Sequence, residues 1–387
     1  MVTLLTMRPV YIAADSLVSP LGFSSEENYS SIQEGNSAIS QVTDATIAAS
    51  PLYAGWMYPE LRNQIRQGIS EAEKFTWFEQ LAIYAIQHAL KKTVIDPRSP
   101  RVLFILSTTK GNIELLEQGN ETDKRIHLNE AAKDIAGFFG NPNPPFVISN
   151  ACISGVMAML IAKRLLQSGQ YDHAVVTGAD VLTYFVISGF QSLMAISPQP
   201  CRPFDVNRNG VSLGEAAATI VLTTSDDCCS NPAISIKGAS VSNDANHISG
   251  PSRTGEELAL AIDKALFESQ FQKEDIDFVS AHGTGTLYND EMEAKAFNLA
   301  GLQNTPVNSL KGYFGHTLGA AGIVESVISI HSMMHDELIP SLGYSVPGVS
   351  QRIQVIDTLK SKSIINCLKT ASGFGGCNAA MVLNKSK

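Results

Sequence analysis

The stretch "SNACISGVMAMLIAKRLLQSG" sets one cysteine, Cys152, between a small polar lead-in and a run with the apolar spacing of an amphipathic helix. If the helix begins just after it, Cys152 lies where unpaired backbone N–H groups and the positive end of the helix dipole favour a thiolate over a thiol. Position alone would then make a nucleophile. The plainer reading is a small buried hydrophobe, because cysteine is among the most buried residue types. Two histidine neighbourhoods bear on the choice. "SAHGTGTLYNDEMEAKA" puts His282 at the end of an apparent strand, ahead of glycines and hydroxyls that let a backbone or ligand come close. "NSLKGYFGHTLGAAGIVES" puts Lys311 and His316 in a glycine-rich loop before a helix. A thiol and two imidazoles at the ends of elements form a nucleophile and acid–base set. Each histidine taken singly also fits a structural role.

Other chemistry-bearing patterns are weaker. His331 and His335 in "HSMMH" have the spacing of a zinc-binding helix but lack the glutamate after the first histidine, so they read as a helix face. The six cysteines, at 152, 201, 228, 229, 367 and 377, show neither a CxxC nor a disulfide framework, and no metal site is expected. Adjacent Cys228 and Cys229 receive no role. "NYS" at Asn28 matches a glycosylation acceptor that a cytoplasmic chain would not use. There is no Walker-type phosphate loop and no strand-linked G-x-G-x-x-G.

The elements that must position these groups alternate. "RVLFILSTT" (Arg101 to Thr109) and "DHAVVTGAD" (Asp172 to Asp180) read as buried strands, and "FEQLAIYAIQHALKK" (Phe78 to Lys92) as a helix. After the polar segment near Ser225 to Pro232 the pattern restarts with the strand "AISIKGASV", the helix "TGEELALAIDKALFES" and the strand "DFVSAHGTGT" running into a loop. This rhythm implies α/β layers around a mostly parallel sheet. It also divides the chain into two similar-sized halves, 1–228 with the cysteine and 229–387 with the histidines and Lys311. The 387 residues are 44% hydrophobic and 17% charged, ample for a large core. A net charge of −9 argues against nucleic acid or an anionic membrane as partner. No apolar run reaches ~18 residues and the start lacks a secretory pattern, so a soluble cytoplasmic protein is expected.

Taken in order, "NACISG", "CRPFDVNRNGVSLGEAA", "SNDANHISGPS", "AHGTGTLYNDEMEAKA", "SLKGYFGHTLGAAGIVE" and "GFGGCN" resemble the β-ketoacyl-acyl carrier protein synthases, the thiolase-fold condensing enzymes of fatty-acid and polyketide synthesis. The similarity spans nearly the whole chain. It implies two βαβαβ-type halves stacked in a five-layer α-β-α-β-α arrangement, and an acyltransferase that performs a decarboxylative Claisen condensation. Cys152 matches the family's nucleophile, and His282 and His316 match the two histidines that assist malonyl decarboxylation. The N–H groups of Cys152 and Phe374 match an oxyanion hole. Lys311, Glu325 and Asp290 match a charge network behind the histidines, and Thr284 and Thr286 match positions that bind the pantetheine arm. Arg202, Asp205, Arg208 and Glu215 look architectural. The resemblance further implies no free cofactor, substrates carried on the 4'-phosphopantetheine of acyl carrier protein, and a homodimer or a ketosynthase heterodimer. Arg62, Arg66 and Lys74 could face an acidic carrier protein, although a solvated surface is the simpler reading.

Departures temper the likeness. Ala13, Ala14 and Asp15 stand where family members carry a glycine-centred turn. Ser372 replaces a common phenylalanine beside Phe374 in the acyl pocket, and the segment from Lys110 to Phe146 is short. Together with "NACISG" these features are similar to the ketosynthases of aryl polyene or related pigment clusters. Two alternatives remain. A thiolase-like acyl-CoA acyltransferase would need a second cysteine, for which Cys377 is the nearby candidate. A non-catalytic chain-length factor typically lacks the nucleophile that this chain retains.

Overall fold

The computed structural model describes residues 8–229, 232–245 and 250–386. In the first half, strands β1 (Tyr11–Val18), β2 (Val102–Ser107), β3 (Phe146–Ile148), β4 (His173–Asp180) and β5 (Ala216–Thr223) lie side by side in the order β3-β2-β4-β5-β1. In the second, β6 (Ile234–Asn243), β7 (Phe278–Ser280), β8 (Pro306–Asn308), β9 (Asn366–Gly373) and β10 (Cys377–Lys385) run β8-β7-β9-β10-β6. The pairing rule is the same in both. β2 and β4 are parallel and β4, β5 and β1 antiparallel, just as β7 and β9 are parallel and β9, β10 and β6 antiparallel. The half-sheets join at their seam through Tyr11 and Ser235. All six residues of β2 and all eight of β5 are buried, which explains why both strands are unbroken apolar runs rather than alternating ones.

Helices α1 (Trp77–Leu90) and α2 (Leu128–Phe138) pack on the outer face of the first half, and α5 (Glu256–Ser269) and α6 (Leu287–Leu299) belong to the second. Between the half-sheets lie α3 (Ser154–Gln167), which touches β2 and β4 on one side and β6 and β10 on the other, and α7 (Ala321–His335). Three apolar clusters correspond to these helix layers, so five layers result. At the crossing of the central helices the backbones nearly touch. A Cβ on Gly155 would lie 2.8 Å from Ile323 N, and one on Gly322 would lie 2.6 Å from Val156 N. This crossing brings the start of α3 beside the loop that precedes α7.

The altered segment Ala13–Asp15 is not a turn after the first strand. β1 runs through it to Val18 with a bulge between Ile12 and Ala14. The Asp15 carboxylate pairs with the buried His331 at 3.1 Å, which accounts for that histidine on its helix face. Among the described residues no helix is long and apolar enough to cross a membrane.

Candidate active site

Where β3 ends, Asn150–Cys152 leads into α3 through Ala151 at φ +44°, a conformation that costs energy for a residue other than glycine. Ser154 holds this bend. Its Oγ donates to Ala151 O at 2.6 Å and accepts from Asn150 N at 2.7 Å. Gly373 at the end of β9 passes so close that a Cβ there would lie 2.9 Å from Cys152 N. Cys152 is therefore fixed just ahead of the helix, only 6% exposed. Burial pushes its thiol up to about 12, and the nearby Lys311 charge only partly opposes this. Desolvation thus works against the thiolate that the helix start would favour.

His316 Nε2 lies 2.9 Å from Cys152 Sγ. The N–H of Leu318 donates to His316 Nδ1 at 3.3 Å, so Nδ1 is an acceptor and the ring proton sits on Nε2, facing the sulfur. The His282 ring packs edge-on to His316, centroids 5.1 Å apart. Its Nδ1 faces the Lys311 ammonium at 3.2 Å, which leaves Nε2 as the protonated nitrogen of this ring too. Burial, reinforced by Lys311 and Lys369, holds both histidines well below the ordinary imidazole range, so both are neutral. Ligand atoms of Cys152, His282 and His316 all lie within 4.8 Å of one another. The site is a buried thiol flanked by two neutral N–H donors.

Behind the rings, Lys311 Nζ donates to His282 O at 2.5 Å and to Glu325 Oε1 at 2.6 Å. Asp290 does not join this pair. Its carboxylate instead accepts from the backbone N–H groups of Thr284, Gly285 and Phe204, at 2.9, 3.2 and 2.7 Å, and holds the loop after His282. Two groups that the sequence reading omits occupy the ground expected of Asp290. Glu293 accepts from the N–H groups of His282 and Gly283 at 2.8 and 2.6 Å, and burial pushes its carboxyl up to about 7. Lys369 Nζ reaches Glu325 Oε2 at 2.5 Å. Both lie inside regular elements, where no local signal marks them.

The pocket above the thiol is lined by His282, Thr284, Thr286, His316, Ser372 and Phe374, with Asn289, Asn378 and Phe190 among their neighbours. The Thr284 and Thr286 hydroxyls are 2.9 Å apart. Ser372 Oγ donates to Asn378 Oδ1 at 2.8 Å, and the Phe374 ring packs against Phe190, centroids 5.9 Å apart. Cys377 directs its thiol at Phe374 O, 3.3 Å away. Asp205 and Glu215 are spent on the framework, accepting from the N–H groups of Ser345 and Val346 and of Met57 and Leu182 respectively. Arg208 binds Asp205 O, and Arg202 pairs with Asp205 at 3.2 Å. Arg62 is not a solvated charge: it reaches the buried Glu215 at 3.1 Å and lies over the rings of Trp56 and Trp77. Arg66 and Lys74 are exposed. Residues 246–249 of the "SNDANHISGPS" motif lie outside the described residues.

Two like-built α/β halves that bury a cysteine under paired histidines at their central helices define a thiolase-like condensing enzyme. The β-ketoacyl synthase N-terminal domain model matches residues 7–228 and its C-terminal domain model matches residues 234–345. A 3-oxoacyl-[acyl-carrier-protein] synthase 2 of Vibrio cholerae is 26% identical, with 98% of this chain and all of that one aligned. Solved structures share the fold at lower identity. The ishigamide ketosynthase/chain length factor superposes with a TM-score of 0.88 at 23% identity over 99% of this chain and 100% of that one. A ketosynthase of Xenorhabdus doucetiae in complex with its chain length factor gives 0.79 at 24% identity over the whole of both chains. The chain belongs to the β-ketoacyl synthase family. It is accordingly an acyltransferase.

Proposed function

We propose that Cys152 accepts an acyl group from the phosphopantetheine thioester of an acyl carrier protein and that a malonyl carrier protein then condenses with it. In the first half-reaction the Cys152 sulfur attacks the thioester carbonyl, the pantetheine sulfur leaves, and it takes up the proton that the thiol gives up. The Cys152 and Phe374 N–H groups receive the tetrahedral oxyanion. In the second, malonyl thioester loses carbon dioxide and its electron pair passes to the thioester oxygen as an enolate. The Nε2–H groups of His282 and His316 stabilise that oxygen as its charge grows. The enolate carbon attacks the acyl-cysteine, and Cys152 departs as the thiolate and is reprotonated. No free cofactor enters this balance.

The observation that carries this reading is the 2.9 Å contact between His316 Nε2 and the Cys152 sulfur, with His282 beside both. Neutral donors suit an enolate, since a protonated imidazole would compete by giving up its proton. Thr284 and Thr286 would hydrogen-bond the pantetheine arm, while Ser372 and Phe374 would line the acyl pocket. Lys311 and Glu325 support the His282 ring, and Asp290 supports the threonine loop. Retention of Cys152 and both histidines favours catalysis over a silent chain-length role, and the Cys377 thiol is engaged by a backbone carbonyl rather than free as a second thiolase cysteine. The reading places the protein in the cytoplasm, in step with six cysteines that form no disulfide, and as a homodimer or a ketosynthase heterodimer. It takes the division at residues 228 and 229 as the boundary of two thiolase-like halves, and an aryl polyene or polyketide chain as the product class. Incubation with acyl carrier protein thioesters of varied length and unsaturation, followed by mass spectrometry, should give an acyl adduct on Cys152 that Cys152→Ala abolishes. An unmodified Cys152 across the panel would overturn the reading.

A further inference from the structure

Lys369 is an oddity of the second half-sheet: a lysine on β9 with no exposed surface, the one charged residue in its strand. Its Nζ donates to Ser280 O and Ala281 O at 3.1 and 3.2 Å, just before His282, and meets Glu325 Oε2 at 2.5 Å. Glu325 thereby bridges two ammonium groups, since its other oxygen meets Lys311 at 2.6 Å. A single buried ion pair behind the histidines would be electrically neutral. Two lysines on one carboxylate leave an excess positive charge, and burying a second cation without its own counter-ion costs stability. Glu293 offsets it only in part, because burial pushes its carboxyl up to about 7.

We propose that Lys369 is a positioning residue for the decarboxylative half-reaction, acting through His282 and His316. The proposal rests on the condensing reading above. Its positive charge keeps both imidazoles unprotonated, so that each presents an N–H donor rather than an acid. The same charge adds a favourable potential where the enolate oxygen forms. Around Lys369 the titratable and charged groups are Glu325, Lys311, Glu293, His282, His316 and, on its own strand, the Cys367 thiol, with the Cys152 thiol beyond the rings. Burial pulls Lys369 itself below the ordinary lysine range, with the Lys311 charge adding to the fall, against the hold of Glu325 and, more weakly, of Glu293.

The test separates charge from packing. Lys369→Met removes the positive charge while keeping much of the side-chain bulk, and Lys369→Arg keeps the charge. Malonyl carrier protein decarboxylation should fall roughly tenfold in kcat in the methionine variant with KM little changed, the scale of one unit charge acting across a partly screened site. Its activity should also be lost at higher pH on the acid side, as imidazole protonation moves upward. The arginine variant should keep most of the rate and leave the acid limb in its original place. Equal loss in both variants with an unmoved pH profile would overturn the proposal in favour of a structural lysine. Lys369→Arg, which keeps the charge, covers the case in which the methionine variant fails to fold: loss of rate in a folded arginine variant would also count against it. Acylation of Cys152 in the wild-type protein, measured in parallel, reports on the condensing reading by itself.

Discussion

At the scale of single residues the site runs against the usual picture of an activated cysteine. A thiol pushed up to about 12 is not a standing nucleophile, and its neighbour His316 donates to it rather than abstracting from it. Alkylation of Cys152 by iodoacetamide should therefore climb about tenfold per pH unit from about pH 7 to about pH 9 without levelling, because only the thiolate reacts. A plateau below about pH 8 would mean that the helix start or a histidine ionises the sulfur after all. The histidines carry a second expectation. Replacing either His282 or His316 by alanine should lower malonyl decarboxylation by roughly 10²–10³, the usual cost of losing one donor to a developing oxyanion. Intact decarboxylation in both variants would remove them from the chemistry. The three side chains proposed to react could be picked out in the sequence because each sits at the end of an element, and the fold brings them together. The charges behind them could not. Lys369 and Glu293 lie within a strand and a helix, and only the fold brings them under His282.

Among elements, the crossing of α3 and α7 decides whether the cysteine of one half meets the histidine of the other. Its requirement for Gly155 and Gly322 comes from backbone contact, not from positive φ. Gly155→Ala should cost about 1–3 kcal/mol in urea denaturation, the range for overpacking a close contact, and should lower the condensation rate by separating Cys152 from His316. Gly137, in the last turn of α2, has nothing within 4 Å of an added Cβ. Gly137→Ala should instead stabilise by about 0.5–1 kcal/mol, the ordinary helix preference for alanine. If the two substitutions behaved alike, the crossing would not be the constraint argued here. The sequence reading caught the strands Arg101–Thr109 and Asp172–Asp180 and the helix Phe78–Lys92 to within a residue or two, because buried strands leave short unbroken apolar runs and the helix leaves a longer one near a 3.6 period. It could not foresee that β1 would continue through Asp15. That depends on His331, more than three hundred residues away in the chain, supplying a partner for a buried carboxylate.

For the whole molecule, the remaining question is what covers its apolar flank. Helix α4 (Tyr184–Ser192) leaves Tyr184 and Phe185 exposed, Leu193 and Met194 follow at its end, and Met194 is 90% exposed. The Phe185 N–H bonds Glu117 at 2.6 Å, which sets the exposed Leu116 beside this face. Several large apolar side chains exposed on one helix and its end are what a protein interface would cover. The same helix carries Phe190, whose ring packs on Phe374 over the pocket, so a second subunit seated here would brace the wall of the acyl site. The chain should sediment as a dimer at micromolar concentration. Phe185→Lys combined with Met194→Lys should yield a folded monomer, because two ammonium groups cannot be desolvated in an apolar contact without partners. Condensation should fall in that monomer while alkylation of Cys152 persists, since the thiol and its histidines belong to one chain. A protein that is monomeric from the outset, with activity indifferent to both lysines, would show that this flank is not an interface and that the pocket wall stands unaided.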